Sequence, residues 1–156
     1  MYWYNKAAEN GNELTQFTLG QCYTFGIGVE KDETKAFEYY KKSAEKGYDK
    51  AQNSLGYLYI NGKGVDKDLK KAIYWTIKAA ENENEHAQYN LGNCYKLGIG
   101  VEKNLEKAFY WFNKAADNGS EIAQFQFGEC YRLGIGVEKD EIKAFKYYKK
   151  SQKRNM

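Results

Sequence analysis

Proline is absent from this chain of 156 residues, histidine occurs once and cysteine three times. Without proline or low-complexity tracts there is no candidate linker, so one array filling residues 1–156 is expected. A net charge of +3 is too small to dictate a polyanionic partner by itself. No apolar run approaches the roughly 20 residues needed to cross a bilayer. The start, Met1-Tyr2-Trp3-Tyr4, has neither the basic region nor the apolar stretch of a signal peptide. No membrane span and a cytoplasmic location are therefore expected. The lone histidine, His86, falls near the start of a predicted helix, where it reads as a surface residue rather than an acid–base catalyst. Serines are few, and none has the strand-to-helix Gly-x-Ser-x-Gly setting of a nucleophile elbow. No catalytic residue is expected.

What the chain has instead is repetition. Leu19-Gly20, Leu55-Gly56, Leu91-Gly92 and Phe127-Gly128 recur at a spacing of 36 residues. Tyr23, Tyr59, Tyr95 and Tyr131 follow at a fixed offset, then the glycine pairs Gly26/Gly28, Gly62/Gly64, Gly98/Gly100 and Gly134/Gly136, each with a valine next. Ala36, Ala72, Ala108 and Ala144 close the pattern, each preceded by lysine. A period of this length without strand signals means stacked helix pairs, because one pair cannot bury its apolar face alone.

One unit shows the physics. Ala51, Leu55 and Tyr59 recur at a spacing near four, with Leu58 beside them, which makes one apolar face of a helix over Asp49–Asn61. Gly56 lies on that face and lets a partner helix approach closely. Gly62 is placed to end the helix in the left-handed conformation, and Gly64 gives the turn a second permissive position before Val65 returns to the core. Asp32, Asp68, Asn104 and Asp140 stand where N-caps of the second helices belong. The second helix of this unit runs to about Asn82, with small residues at its ends and aromatics in its middle.

Carried through the chain, this phase predicts nine helices: a half repeat over 1–12 and full repeats over 13–48, 49–84, 85–120 and 121–156. The half repeat aligns with a second helix, so the chain is expected to be a fragment of a longer array or to self-associate through that end. The last repeat ends Ser151-Gln152-Lys153-Arg154, polar in the manner of a capping helix. Cys22, Cys94 and Cys130 share one repeat position with Leu58, which marks it as a packing site. Their odd number and the separation of about 9 Å between neighbouring helices argue against disulfides, which tolerate Cα separations of about 7 Å. No CxxC or paired His/Cys spacing exists, so no metal is expected. Gly26-Ile27-Gly28 lacks the third glycine of a nucleotide loop and follows a helix rather than a strand, so no cofactor is expected either.

The pattern Ala-Gln-x-x-Leu-Gly-x-x-Tyr-x-x-Gly-x-Gly-Val, then Asp, Lys-Ala, an aromatic pair and Ala-Ala-x-x-Gly, resembles the Sel-one-like repeat, a relative of the tetratricopeptide repeat. It stands in Ala51 to Gly64 and in Lys107 to Gly119, and the resemblance covers essentially the whole chain. It implies an all-α, right-handed α/α superhelical solenoid of antiparallel helix pairs whose first helices line the concave side. It also implies a non-enzymatic scaffold or adaptor for a protein or peptide, as a module of a larger regulatory or signalling protein. Cysteine-rich secreted members described as penicillin-binding or β-lactamase-like staple each repeat with a cysteine pair. This chain has at most one cysteine per repeat, so that activity does not carry over.

By the phase of such repeats, the ligand-facing positions are Leu14, Phe17 and Gln21; Lys50, Asn53 and Tyr57; His86, Tyr89 and Asn93; and Ile122, Phe125 and Glu129. Rings and amides in this mixture suit an extended peptide or a helix. The alternative is that Phe17, Tyr89 and Phe125 pack against the next repeat; Asn53 at the equivalent position counts against it. A second reading places nucleic acid or another acidic surface on the C-terminal helix, where Lys143, Lys146, Lys149, Lys150, Lys153 and Arg154 gather. Lysines opposite an apolar stripe and near a helix C-terminus are ordinary solvated residues, so nucleic acid is the lesser expectation. Asn118-Gly119-Ser120 is formally a glycosylation sequon but is read as a helix-closing turn, since Gly119 matches Gly47.

Overall fold

A computed structural model describes Lys6 and residues 11–152. Among them are eight α-helices and no strand: α1 (Glu13–Phe25), α2 (Glu33–Glu45), α3 (Asp49–Asn61), α4 (Leu69–Glu81), α5 (Glu85–Leu97), α6 (Leu105–Asp117), α7 (Glu121–Leu133) and α8 (Glu141–Gln152). Apart from Lys6, the ninth helix expected over the half repeat lies outside the described residues, as does the self-association expected there. The chain divides into two compact units, Met1–Asn82 and Glu83–Met156.

In the first unit α1 pairs with α2 and α3 with α4, and α2 packs on α3; in the second, α5–α6 and α7–α8 are the pairs and α6 packs on α7. Every pair is closed by the same short turn. Gly26, Gly62, Gly98 and Gly134 each sit at a left-handed C-cap. The backbone N–H groups of Asp32, Asp68, Asn104 and Asp140 then reach back to the carbonyls of Tyr23, Tyr59, Tyr95 and Tyr131 at 2.9–3.0 Å. The same four residues cap the second helices with their side chains, accepting from the N–H groups of Lys35, Lys71, Lys107 and Lys143 at 2.9–3.0 Å. One residue thus both ends the turn and starts the next helix, which explains why its spacing is so regular.

Alanines bring the helices together. Ala36, Ala51, Ala72, Ala79, Ala108, Ala115 and Ala123 are buried, and Leu19, Leu55, Leu91 and Phe127 fill the centre of the first helices. The face of each helix glycine is taken by a second-helix side chain. Gly20 meets the Tyr40 ring, Gly56 the Thr76 hydroxyl, Gly92 the Phe112 ring and Gly128 the Tyr148 ring. Aromatic rings also link successive pairs inside each unit: Phe37 meets Tyr59 edge-on at 5.4 Å, and Phe109 lies 4.8 Å from Phe127 and 5.6 Å from Tyr131.

Buried glutamines tie the same layers with polar bonds. The amides of Gln52 and Gln124 donate at 3.2 Å to Ala44 and Ala116, carbonyls in the last turns of α2 and α6. Asn82 and Asn118, just past α4 and α6, donate to the side-chain oxygens of Gln52 and Gln88 at 3.0 and 2.9 Å. The Gln52 and Gln124 amides thus satisfy carbonyls that a helix end leaves orphaned, and the asparagines satisfy the side-chain oxygens of Gln52 and Gln88. Cys22 is half-buried while Cys94 and Cys130 are buried, and all three are free thiols. Burial raises the Cys94 thiol and pushes that of Cys130 up to about 11, so both are inert packing groups at neutral pH.

Candidate protein-binding face

The twelve residues singled out by phase all lie on first helices: Leu14, Phe17 and Gln21 on α1, Lys50, Asn53 and Tyr57 on α3, His86, Tyr89 and Asn93 on α5, and Ile122, Phe125 and Glu129 on α7. Within each helix the spacing of three and four residues puts the triplet on one side. None of the twelve is fully buried.

Rings at the middle position rest on rings of the paired second helix. Phe17 lies 5.5 Å from Tyr40 and 5.1 Å from Tyr48, Tyr89 lies 5.8 Å from Phe112, and Phe125 lies 5.2 Å from Tyr148. Phe17 and Tyr89 are half-buried, whereas Phe125 stays 53% exposed. The ring contacts of Phe17, Tyr89 and Phe125 are thus all within their own repeats, Tyr48 being the last residue of the first repeat, where it stands at the N-cap of α3. In the second repeat both halves of the ring pair are replaced together: Asn53 stands at the first-helix position and Thr76, whose hydroxyl donates to the Ala72 carbonyl at 2.8 Å, at the second. The acceptance of Asn53 at this position follows from the loss of its ring partner.

The outer positions carry exposed apolar groups. In the first unit Leu14 and Tyr57 are 54% and 53% exposed, and in the second Ile122 is 63% exposed. The Lys63 ammonium donates to the Tyr57 hydroxyl at 3.3 Å and lies 5.2 Å from its ring centroid. His86 is exposed, with Nε2 3.8 Å from the Glu85 carboxylate. Lys50 is exposed, and Gln21, Asn53 and Asn93 are half-buried.

Glu129 is committed inside the fold. Its carboxylate accepts from Arg132 through Nε at 2.8 Å and Nη2 at 2.6 Å, and from the Tyr148 hydroxyl. The Arg132 hydrogen bonds, followed by that of Tyr148, hold its pKa down to about 2. The cluster fastens α7 to α8 at the edge of the face. Sequence phase located Glu129 but gave no sign of this pairing, because Gln21, Tyr57 and Asn93 occupy its place in the other repeats.

The cap carboxylates behave alike. Asp32, Asp68 and Asp140 are lowered first of all by the backbone N–H groups of Lys35, Lys71 and Lys143. Depressed carboxylates add stability that is complete above their unfolded values, about 4, and lost as pH falls through the folded values. Melting temperature should therefore drop steeply below about pH 4. Converting Asp32, Asp68 and Asp140 to asparagine and Glu129 to glutamine should flatten that drop, as Asn104 already caps α6 without a charge. Circular dichroism melts from about pH 6 to pH 2 check this, and an equally steep fall in the variant would contradict it.

The alternative basic surface is partly occupied at home. Lys143 pairs with Asp140 at 3.5 Å and lies over Tyr131, and Lys149 lies over Phe145. Lys153 and Arg154 are outside the described residues. Among the described residues no group of His, Cys, Asp and Glu is arranged to hold a metal, and no helix is long and apolar enough to cross a membrane.

Repeated helix hairpins joined by one glycine turn, with alanine-lined contacts between layers, define an α-solenoid repeat protein. The family model for the Sel1 repeat matches residues 1–12, 15–48, 49–84, 85–120 and 122–153. The chain belongs to the Sel1 repeat family. It is similar to a protective antigen present in uropathogenic Escherichia coli strains that displays an SLR fold, with 35% identity and a TM-score of 0.94 over 99% of this chain and 33% of that one. A Sel1 repeat protein from Oxalobacter formigenes matches at 36% identity and a TM-score of 0.93, over 97% of this chain and 63% of that one. Cysteine-rich protein B of Helicobacter pylori matches at 32% identity and a TM-score of 0.62, over 78% and 87%. The chain thus spans a third of the first structure's length and just under two thirds of the second's. Among curated proteins no match is found. Sel1 repeat proteins are generally scaffolds for protein–protein interactions, and the fold is typically non-catalytic.

Proposed function

We propose that this chain is a non-enzymatic adaptor that grips a protein or peptide on its first-helix face, as a module of a regulatory or signalling assembly. The observation that carries the reading is the side-chain mixture on that face. In the first unit Leu14 and Tyr57 are each more than half exposed, on the helices that carry the amides of Gln21 and Asn53; in the second Ile122 and Phe125 are more than half exposed on α7, and Asn93 adds its amide on α5. Exposed rings and aliphatic groups on rigid helices bind with little loss of conformational freedom, and neighbouring amides fix the register of a bound backbone.

The test is affinity capture from native lysate, comparing wild type with a Phe17→Ala/Tyr89→Ala/Phe125→Ala variant whose circular dichroism spectrum is unchanged. Loss of a dominant protein partner, at about 100-fold or more in affinity for three anchors, is the expected result. Retention of that partner at full affinity would remove the face from consideration. Recovery of nucleic acid, released as salt is raised, would favour the basic helix α8 instead.

A further inference from the structure

Two of the hairpin turns form equivalent clefts of different chemistry. In the third repeat a cavity of about 370 Å³ is lined by Tyr95, Val101, Glu102, Lys103, Asn104 and Lys107. In the first repeat a cavity of about 380 Å³ stands at the same place. Each has an apolar wall, Tyr95 with Val101 or Tyr23 with Val29, and a lysine ammonium over the tyrosine ring, Lys107 at 5.3 Å and Lys35 at 5.5 Å. Their charges differ. In the first repeat Lys31 and Lys35 are matched by Glu30 and Asp32, two positive charges against two negative. In the third Lys103 and Lys107 are matched by Glu102 alone, two against one, because the cap is Asn104.

The exchange changes hydrogen bonding as well as charge. Asp32, Asp68 and Asp140 give one carboxylate oxygen to a backbone N–H and hold the other 3.5 Å from the ammonium of Lys35, Lys71 or Lys143. Asn104 gives its one side-chain oxygen to the Lys107 N–H at 2.9 Å, so the remaining atom of its head group is a nitrogen that donates. The cleft therefore sets the Asn104 amide and the Lys107 ammonium, both donors, where the other three caps set an acceptor beside the ammonium. Among the described residues neither Lys103 nor Lys107 makes an ion pair.

We propose that the Tyr95–Lys107 cleft is a subsite for a carboxylate, carried by an acidic side chain of a protein partner. That carboxylate takes the place of the missing cap oxygen, accepting from the Asn104 amide and the Lys103 and Lys107 ammonium groups. Its methylenes lie against Tyr95 and Val101. One negative charge balances the one unmatched positive charge, whereas a phosphate dianion would bring a second charge against Glu102. The inference does not depend on the first-helix face, since none of the lining residues belongs to it.

Backbone amide NMR of the full chain, titrated at constant ionic strength with N-acetyl-glutamate methylamide and with its neutral glutamine analogue, tests it. The glutamate compound should give saturable shifts at Tyr95, Lys103 and Lys107 that the glutamine analogue does not, and the equivalent Lys35, Lys71 and Lys143 should respond far less. Asn104→Asp supplies an internal carboxylate and should weaken the response about fivefold or more. It should fold as wild type, because aspartate caps the second helix of the other three repeats. Asp32→Asn makes the converse change and should raise a saturable response at Lys35. No saturable shift, equal shifts at all four lysines or with both compounds, an undiminished response in Asn104→Asp, or none at Lys35 in Asp32→Asn would each overturn the proposal.

Discussion

Gly136→Ala is expected to destabilise the second unit by about 3 kcal/mol or more, against about 1 kcal/mol for Gly134→Ala two residues earlier. Both glycines have a left-handed backbone, with φ of 67° and 73°. Their surroundings separate them. A Cβ on Gly134 would meet the Lys139 side chain at 3.2 Å, which can swing away, and the Val137 carbonyl oxygen at 3.4 Å, an ordinary van der Waals distance. On Gly136 it would lie 2.1 Å from the Leu105 carbonyl oxygen and 2.9 Å from the Phe109 Cβ, in the first turn of α6. That carbonyl is held by the helix, so relief requires moving the loop of one repeat off the second helix of the previous one. Gly64 is in the same position against the Glu33 carbonyl, at 2.0 Å, and should respond in the same way. Urea unfolding of the two alanine variants decides the matter, and equal losses would mean that conformation alone, without the close approach, sets the requirement for glycine.

Gly92→Leu should be larger still, about 3–5 kcal/mol, a substantial part of the 5–15 kcal/mol or so that holds a domain together. Even a Cβ here would stand 2.6 Å from the Phe112 ring, which is fully buried. The gain of roughly 1 kcal/mol in helix propensity on replacing glycine is too small to offset the loss. Gly56→Leu should act similarly through the Thr76 hydroxyl, 2.4 Å from the added atom. Thermal melts would measure both. Because the cause is a collision with one ring, Phe112→Ala placed in the Gly92→Leu background should cost less than Phe112→Ala in wild type. An unchanged melting temperature in Gly92→Leu would contradict the close packing of α5 on α6.

The two glycine classes show what could be read from the amino acids alone. Period and caps located the helices well: α3 spans the Asp49–Asn61 expected from its apolar stripe, and Asp32, Asp68, Asn104 and Asp140 cap as their positions suggested. These features depend on neighbours a few residues away, so sequence spacing contains them. Identical local conformation conceals the difference between Gly134 and Gly136, because it arises from a helix some thirty residues earlier. The same holds on the proposed binding face. Phase put Glu129 on the correct helix, but its engagement by Arg132 and Tyr148 depends on a side chain of the next helix. The buried glutamines were visible as part of a motif, and their bonds to the ends of other helices were not. The 62% exposure of Phe145 was equally hidden, since α2 has nearly the same sequence as α8 while its Phe37 is met by Tyr59 of α3.

Site-specific photocrosslinking tests the central claim most directly. A photoreactive amino acid would be placed singly at Leu14, Tyr57 and Ile122 on the first-helix face, and at Tyr74 and Tyr110, which are about as exposed but lie on second helices. Irradiation in the native lysate should join the first three positions to the same protein partner and leave the last two without it. Adducts to that partner from Tyr74 and Tyr110, with none from Leu14, Tyr57 or Ile122, would contradict the assignment of the first-helix face as the binding surface.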